Sequence, residues 1–329
     1  LLTSNLTNHG TIFAETTNNA TLGLAPGVTL TNASDGLFHY KPIYISPISG
    51  AGTFLNQGQF LCDMNPYDAN WGQDLAFVNE GSFTKTGLRS QFYGSFTNSA
   101  TGVVNINDGT QAFLGGFVNA GQINVAAGAT MALGEDLGGT LTISGGTLSG
   151  FGTVLFQSGT AMVNTPWDFP NGTTRIATTG SVNFVQAVNS PVTVASGTVN
   201  FYGSVNAGPV ITGGTVSFLS PLATPLTLIV SATSFVNVAA GGATLAGNSS
   251  LSGGTISVAG NWVNTGDFQW SGGTLLVGGT MTNNGSMHVS APSGVMLLTS
   301  NLTNHGTIFA ETTNNATLGL VHCHTKILG

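Results

Sequence analysis

Residues 77–83 read FVNEGSF: apolar, any, Asn, any, Gly, any, apolar. The same grammar returns as LTNHGTI at 6–12, FLNQGQF at 54–60, FVNAGQI at 117–123, WVNTGDF at 262–268, MTNNGSM at 281–287 and LTNHGTI at 302–308. A stretched form, FTNSATGVV, occupies 96–104. Asn56, Asn79, Asn98 and Asn119 follow one another at 23, 19 and 21 residues, and Asn264, Asn283 and Asn304 at 19 and 21. A fixed period of roughly 20 residues or more is the mark of stacked repeat units.

Between these copies lie short runs of Val, Thr, Ile and Phe entered through Gly-Thr, such as GGTLTISGGTLSGFGTV from Gly138, GGTVSF from Gly213 and GGTLLVGGTM from Gly272. Such runs read as strands, and stretches of Ala, Leu, Glu and Lys at helical spacing do not occur. Antiparallel hairpins would show two-residue turns between strands of matched length, without a 20-residue spacing. The reading is therefore all-β: a right-handed parallel β-helix, or solenoid, with coils of about 20 residues and three short strands to a coil.

Physical chemistry accounts for the residue types. Successive coils of such a fold lie about 4.8 Å apart, so position k of one coil sits on position k of the next. An amide both donates and accepts, and the seven asparagines above are expected to form a hydrogen-bonded ladder. The Gly two residues later is expected to supply the positive φ of a sharp corner. Stacked like charges would repel, which fits a charged content of only 5% against roughly 25% in an average domain.

The first 24 residues, LLTSNLTNHGTIFAETTNNATLGL, return unchanged at 297–320. The offset of 296 residues makes a unit of about 14 coils. Residues 1–320 are thus expected to form one continuous solenoid, followed by a tail at 321–329, VHCHTKILG, that shares nothing with the repeats. Identical ends point to coaxial continuation, within a longer polypeptide or end to end with a second copy. The lack of an initiator Met fits a fragment, a processed chain or a recombined gene.

Composition excludes several functions. Five basic residues against a net charge of −7 cannot make a phosphate-neutralising surface, so nucleic acid is not expected as a partner. No apolar run reaches the length of a transmembrane helix. Two cysteines, Cys62 and Cys323, give neither a disulfide framework nor a metal spacing, and no cofactor is expected.

The stretch FVNAGQINVAAGATMALG with GGTLTISGGTLSGFGTV resembles the passenger regions of bacterial extracellular β-helix exoproteins, namely autotransporter passengers and filamentous-haemagglutinin-like adhesins. The likeness is clearest over 77–155 and 250–308 and lies in coil vocabulary. It implies a right-handed β-helix displayed outside the cell, and it carries no catalytic residue.

The most irregular segment is CDMNPYDANWGQD, 62–74. It is read as a protruding loop at 63–74 whose Tyr67 and Trp71, with Tyr93 about one coil later, offer ring faces to a glycan. The alternative is that its aromatics pack onto the solenoid. Asp63, Asp68 and Asp74 lie together without a matching set on the next coil, whereas glycoside hydrolysis needs paired carboxylates. No catalytic residue is therefore assigned. His322, Cys323 and His324 could hold a metal only with a fourth ligand, and none is assigned. The expectation is a non-enzymatic structural or adhesive segment of a large secreted or cell-surface repeat protein, fibre-forming by coaxial stacking, with surface glycans as possible partners. The competing expectation is a carbohydrate-binding or carbohydrate-cleaving β-helix of the tailspike or lyase kind.

Overall fold

The computed structural model describes the chain apart from residues 17–20, 43–47, 65–67, 135–139, 221, 223–224, 240, 291–294, 312–316, 321–325 and 328–329. The described residues contain strands and no helix. They form two compact units, Leu1–Arg175 and Ile176–Gly329. Each is a parallel β-solenoid, and together they make about 13 turns spaced roughly 21 residues apart.

In the first unit a coil consists of three strands on three walls. The coil that contains FVNEGSF uses Ala76–Asn79, Ser82–Gly87 and Arg89–Phe92. These pair in parallel with Thr53–Asn56, Gln59–Met64 and Ala69–Trp71 of the coil before. They pair likewise with Ser95–Asn98, Val103–Ile106 and Thr110–Phe113 of the coil after. Burial alternates along each strand, as a one-face core requires.

Inward positions stack into columns. Leu30, Phe54, Phe77, Phe96 and Phe117 share one, and Phe38, Phe60 and Phe83 share the facing one. Within a column the rings are parallel: Phe54 and Phe77 lie 5.0 Å apart at 7°, and Phe60 and Phe83 5.4 Å apart at 8°. Between columns they meet edge to face, as Phe54 meets Phe60 at 87°. Both arrangements suit the ring quadrupole, and each buried Phe adds about 1.5–3 kcal/mol of transfer free energy.

The second unit repeats the scheme with longer strands. Asn248–Val258 and Asp267–Val277 each run 11 residues around a corner, with register shifts near Ser252. A separate wall carries Trp262–Asn264, Thr280–Asn283 and Asn301–Asn304.

Four expectations change in detail. The chain has about 13 turns, fewer than the spacing implied, because the first coils are long: Asn8 pairs with Asn32 and Asn32 with Asn56, 24 residues each. Within 63–74, the described residues Asp63 and Met64 end one strand and Ala69–Trp71 form another. Part of the tail joins the fold, since the backbone of Lys326–Ile327 pairs with Thr303 and Asn304. The corner glycines Gly58, Gly81 and Gly121 lie outside the left-handed region. Close approach selects them instead, since a Cβ on Gly81 would sit 2.2 Å from the Gly58 carbonyl oxygen.

The duplicated block folds alike in both places. Leu6–Asn8 matches Asn301–Asn304, and Thr11–Thr16 matches Thr307–Ala310. Leu2 bridges to Leu24 just as Leu298 pairs with Leu320.

Gly81→Ala should lower the unfolding free energy in urea by about 1–3 kcal/mol. Gly10→Ala, where an added Cβ meets nothing within 4 Å, should cost well under that. Equal effects would contradict the close-approach account.

Candidate functional site

The polar centre of each unit is a column of asparagine amides. In the first, Asn8 Nδ2 donates to Asn32 Oδ1 at 2.8 Å, Asn32 to Asn56 at 2.9 Å and Asn56 to Asn79 at 2.8 Å. The series continues from Asn79 to Asn98 at 2.8 Å and from Asn98 to Asn119 at 2.7 Å. In the second, Asn264 donates to Asn283 at 2.8 Å and Asn283 to Asn304 at 2.7 Å. The Nδ2 of each amide except Asn304 also donates to a carbonyl one coil on, as from Asn56 to Ser82 (3.0 Å) and from Asn264 to Ser286 (2.9 Å); Asn304 donates to Gly306 of its own coil at 3.0 Å. Most of these amides are fully buried, so the ladder is what makes their burial tolerable.

All seven asparagines named from the sequence fall in these columns. Asn8 and Asn32 extend the first, and the spacing rule had passed over both. The missed signal is LTNASDGLF at 30–38, stretched like FTNSATGVV so that Gly36 follows Asn32 by four residues. The first column ends where Ile143 takes the register position above Asn119, and Leu245 stands below Asn264.

Asn79→Leu would orphan the donor of Asn56 and the acceptor of Asn98. It should destabilise by about 2–5 kcal/mol, each buried orphan costing ~1–3 kcal/mol. Asn56→Leu/Asn79→Leu together should cost less than the sum of the single variants, because their shared bond is removed from both sides. Additive denaturation energies would refute the ladder.

A second polar cluster is buried nearby. Lys85, with no exposed surface, stands in one column between Cys62 and Ile106. Its Nζ donates to the carbonyls of Gly87 at 2.7 Å, Asp108 at 2.5 Å and Leu88, closing the corner between two coils. Burial pulls its pKa down to about 8. Burial also pushes the Cys62 thiol up to about 12 and raises Tyr40. Cys62 Sγ lies 3.6 Å from Ser90 Oγ, which accepts the indole N–H of Trp71 at 2.9 Å.

These shifts set a pH dependence. Between about pH 8 and 9 the folded chain has released the Lys85 proton, while the unfolded chain, titrating near 10.5, still holds it. Stability therefore rises with pH in that window. Above about 9 the unfolded Cys62 ionises while the folded thiol does not, which offsets the lysine's rise. Above about 10.5, where the unfolded lysine has also lost its proton, Cys62 and the raised Tyr40 make stability fall. Urea titrations should show the rise in the parent and not in Lys85→Met, and in Cys62→Ser the rise should continue past about pH 9 instead of levelling off.

Of the three residues named for glycan contact, Trp71 and Tyr93 are described, and neither presents an open ring face. Trp71 is 1% exposed: it takes the inward position below Phe92 and packs on Phe60 and Phe92, with ring centroids 5.6 and 4.6 Å away. A ring enclosed in this way cannot offer its face to a sugar. The signal was Ala-Asn-Trp at 69–71, which matches Ser-Gln-Phe at 90–92 one coil later. Tyr93 is half-buried on the flank, against Ala112, Leu114 and Ala132. Tyr67 lies outside the described residues.

The nearby acids serve the coils. Asp68 accepts the Arg89 backbone N–H at 2.8 Å, and Asp63 accepts Thr86 Oγ at 3.3 Å with His39 Nε2 at 3.7 Å. Near the first corner, His9 hydrogen-bonds Asp35 at 2.9 Å and lowers its pKa. Among the described residues no group of three or more His, Cys, Asp and Glu is placed to hold a metal. His322, Cys323 and His324 lie outside them.

Fold and site together define a parallel β-solenoid with an amide-laddered interior. No family model, curated protein or solved structure matches the chain. Among the described residues no helix is long and apolar enough to cross a membrane.

Proposed function

We propose that this chain is a non-catalytic structural and adhesive segment of a large secreted or cell-surface protein. The observation that carries this reading is the pair of amide columns. The buried amides, groups that a catalytic or binding centre would aim at a ligand, are here bonded from coil to coil. The extracellular setting is supported by the likeness of the coil vocabulary to exported β-helix adhesins. Beads coated with the full chain should adhere to cell monolayers or to a glycan array. Polysaccharide panels incubated with the chain should release no reducing sugar. Sustained release of sugar would overturn the reading in favour of the lyase-like alternative.

Coaxial stacking of copies belongs to the same reading. Within each column every amide but the last donates to the amide of the following coil. Asn304 at the donating end and Asn8 at the accepting end are the same residue of the duplicated block. Seating residues 301–310 of one copy on residues 5–14 of the next would join the two columns. The paired backbone of Lys326–Ile327 occupies part of that edge and would have to leave. Thr7→Cys/Thr303→Cys in a Cys323→Ser background should give a ladder of oxidised multimers on a non-reducing gel, since stacked positions lie within disulfide reach. Monomers alone would refute stacking between copies.

A further inference from the structure

The second wall of the first unit stops short. Its inward column runs Ile12, Phe38, Phe60, Phe83, Val104, Ile123 and Leu148. Thr147–Gly150 is the last described strand of that wall. The first wall goes on to Thr160–Val163, and the Thr173 N–H donates to the Gly152 carbonyl at 2.9 Å on entering the third. Between them lies NTPWDFPNG, 164–172, where a second-wall strand would belong. Pro166 and Pro170 lack the N–H that a ladder strand must donate. The segment therefore carries a single β-bridge, at Trp167, in place of a strand.

The missing strand leaves a cavity of ≈ 300 Å³. Ile123, Met131, Ile143 and Leu148 provide apolar wall, and Trp167 closes one side. The indole is 2% exposed and held in place, its N–H donating to Thr174 Oγ1 at 3.0 Å and its ring 5.8 Å from that of Phe156. The site is thus bounded by fixed side chains. Asp168, at an exposed position, is the one ionisable residue in the lining. Nothing bulky lines the corner, where a Cβ on Gly145 would have no neighbour nearer than 3.7 Å.

We propose that this cavity binds a small arylalkyl amine, its ring system inside and its ammonium at Asp168. The size argues for the body: cavities of about 150 Å³ admit a single benzene ring, so twice that volume takes a fused two-ring group. Apolar walls with one polar anchor are the usual make-up of a small-molecule site. The charge argues for the head, because the lining offers a carboxylate and no cation, in a chain of net charge −7. Asn119, the last rung of the first column, also lines the cavity, but the structural reading needs no ligand there, so either can fail without the other.

The test is calorimetry on the full chain with 1-naphthylmethylamine and its acidic counterpart 1-naphthylacetate. The amine should bind one to one and saturate, and the acid should bind about two- to fivefold more weakly, the range of a single exposed ion pair. Asp168→Asn, a surface change, should bring the amine down to the level of the acid. Leu148→Trp, which fills the cavity, should abolish binding of both with the unfolding midpoint kept. Should that variant unfold, methyl NMR shifts of Ile123, Met131 and Ile143 on adding amine to the parent chain replace it. Equal affinity for amine and acid, no saturable binding, or shifts elsewhere than these methyls would overturn the proposal. So would a heat signal that follows self-association, which would assign the cavity to a second copy.

Discussion

The constraint on which this molecule depends is that each amide buried in the two columns, Asn8 to Asn119 and Asn264 to Asn304, must find its amide partner in a neighbouring coil. Backbone ladders hold neighbouring strands together, but their geometry repeats every residue and tolerates slippage. A buried Asn does not, because moving it by one position would send its side chain to the other face and strand two polar groups in the core. The columns therefore fix register, and the aromatic columns beside them fill the space that the register defines. Where the first column ends at Asn119, the regular succession of walls also ends soon after, at the two prolines.

The same constraint explains why the composition is so poor in charge. A solenoid places chemically similar positions on top of one another, and an amide or a hydroxyl is content with that placement where a carboxylate or an ammonium is not. Lys85 shows the exception and its cost. It is enclosed with no exposed surface, satisfied by three corner carbonyls and still depressed in basicity by burial. No like charge stands above or below it, only Cys62 and Ile106.

Much of this architecture was legible in the sequence, because stacking writes the same residue at the same phase of every turn. Asn79, Asn98 and Asn119 needed only to be counted. What escaped counting had physical reasons. Asn32 was hidden by a corner two residues longer than its neighbours'. Trp71 was read as a surface ring because its coil carries Trp where the next carries Phe, and a column of mixed aromatics has no literal repeat. The glycines were rightly seen as necessary but for the wrong cause, since close contact between carbonyl and Cα leaves no mark that distinguishes it from an unusual φ. The cavity was invisible for a different reason: it is made by absent hydrogen-bond donors at Pro166 and Pro170, and so by what the wall lacks.

Coil length offers a last consequence. Along the first column the steps from one Asn to the next are 24, 24, 23, 19 and 21 residues, yet every pair meets in register. The corners and the links after the second wall absorb a difference of five residues without disturbing a rung. Genes encoding such a chain can therefore gain or lose codons at these joints at little cost, whereas a single-codon change inside a strand would invert inside and outside for all that follows in that strand. Length polymorphism among natural variants should accordingly concentrate at the bends, leaving the rungs untouched.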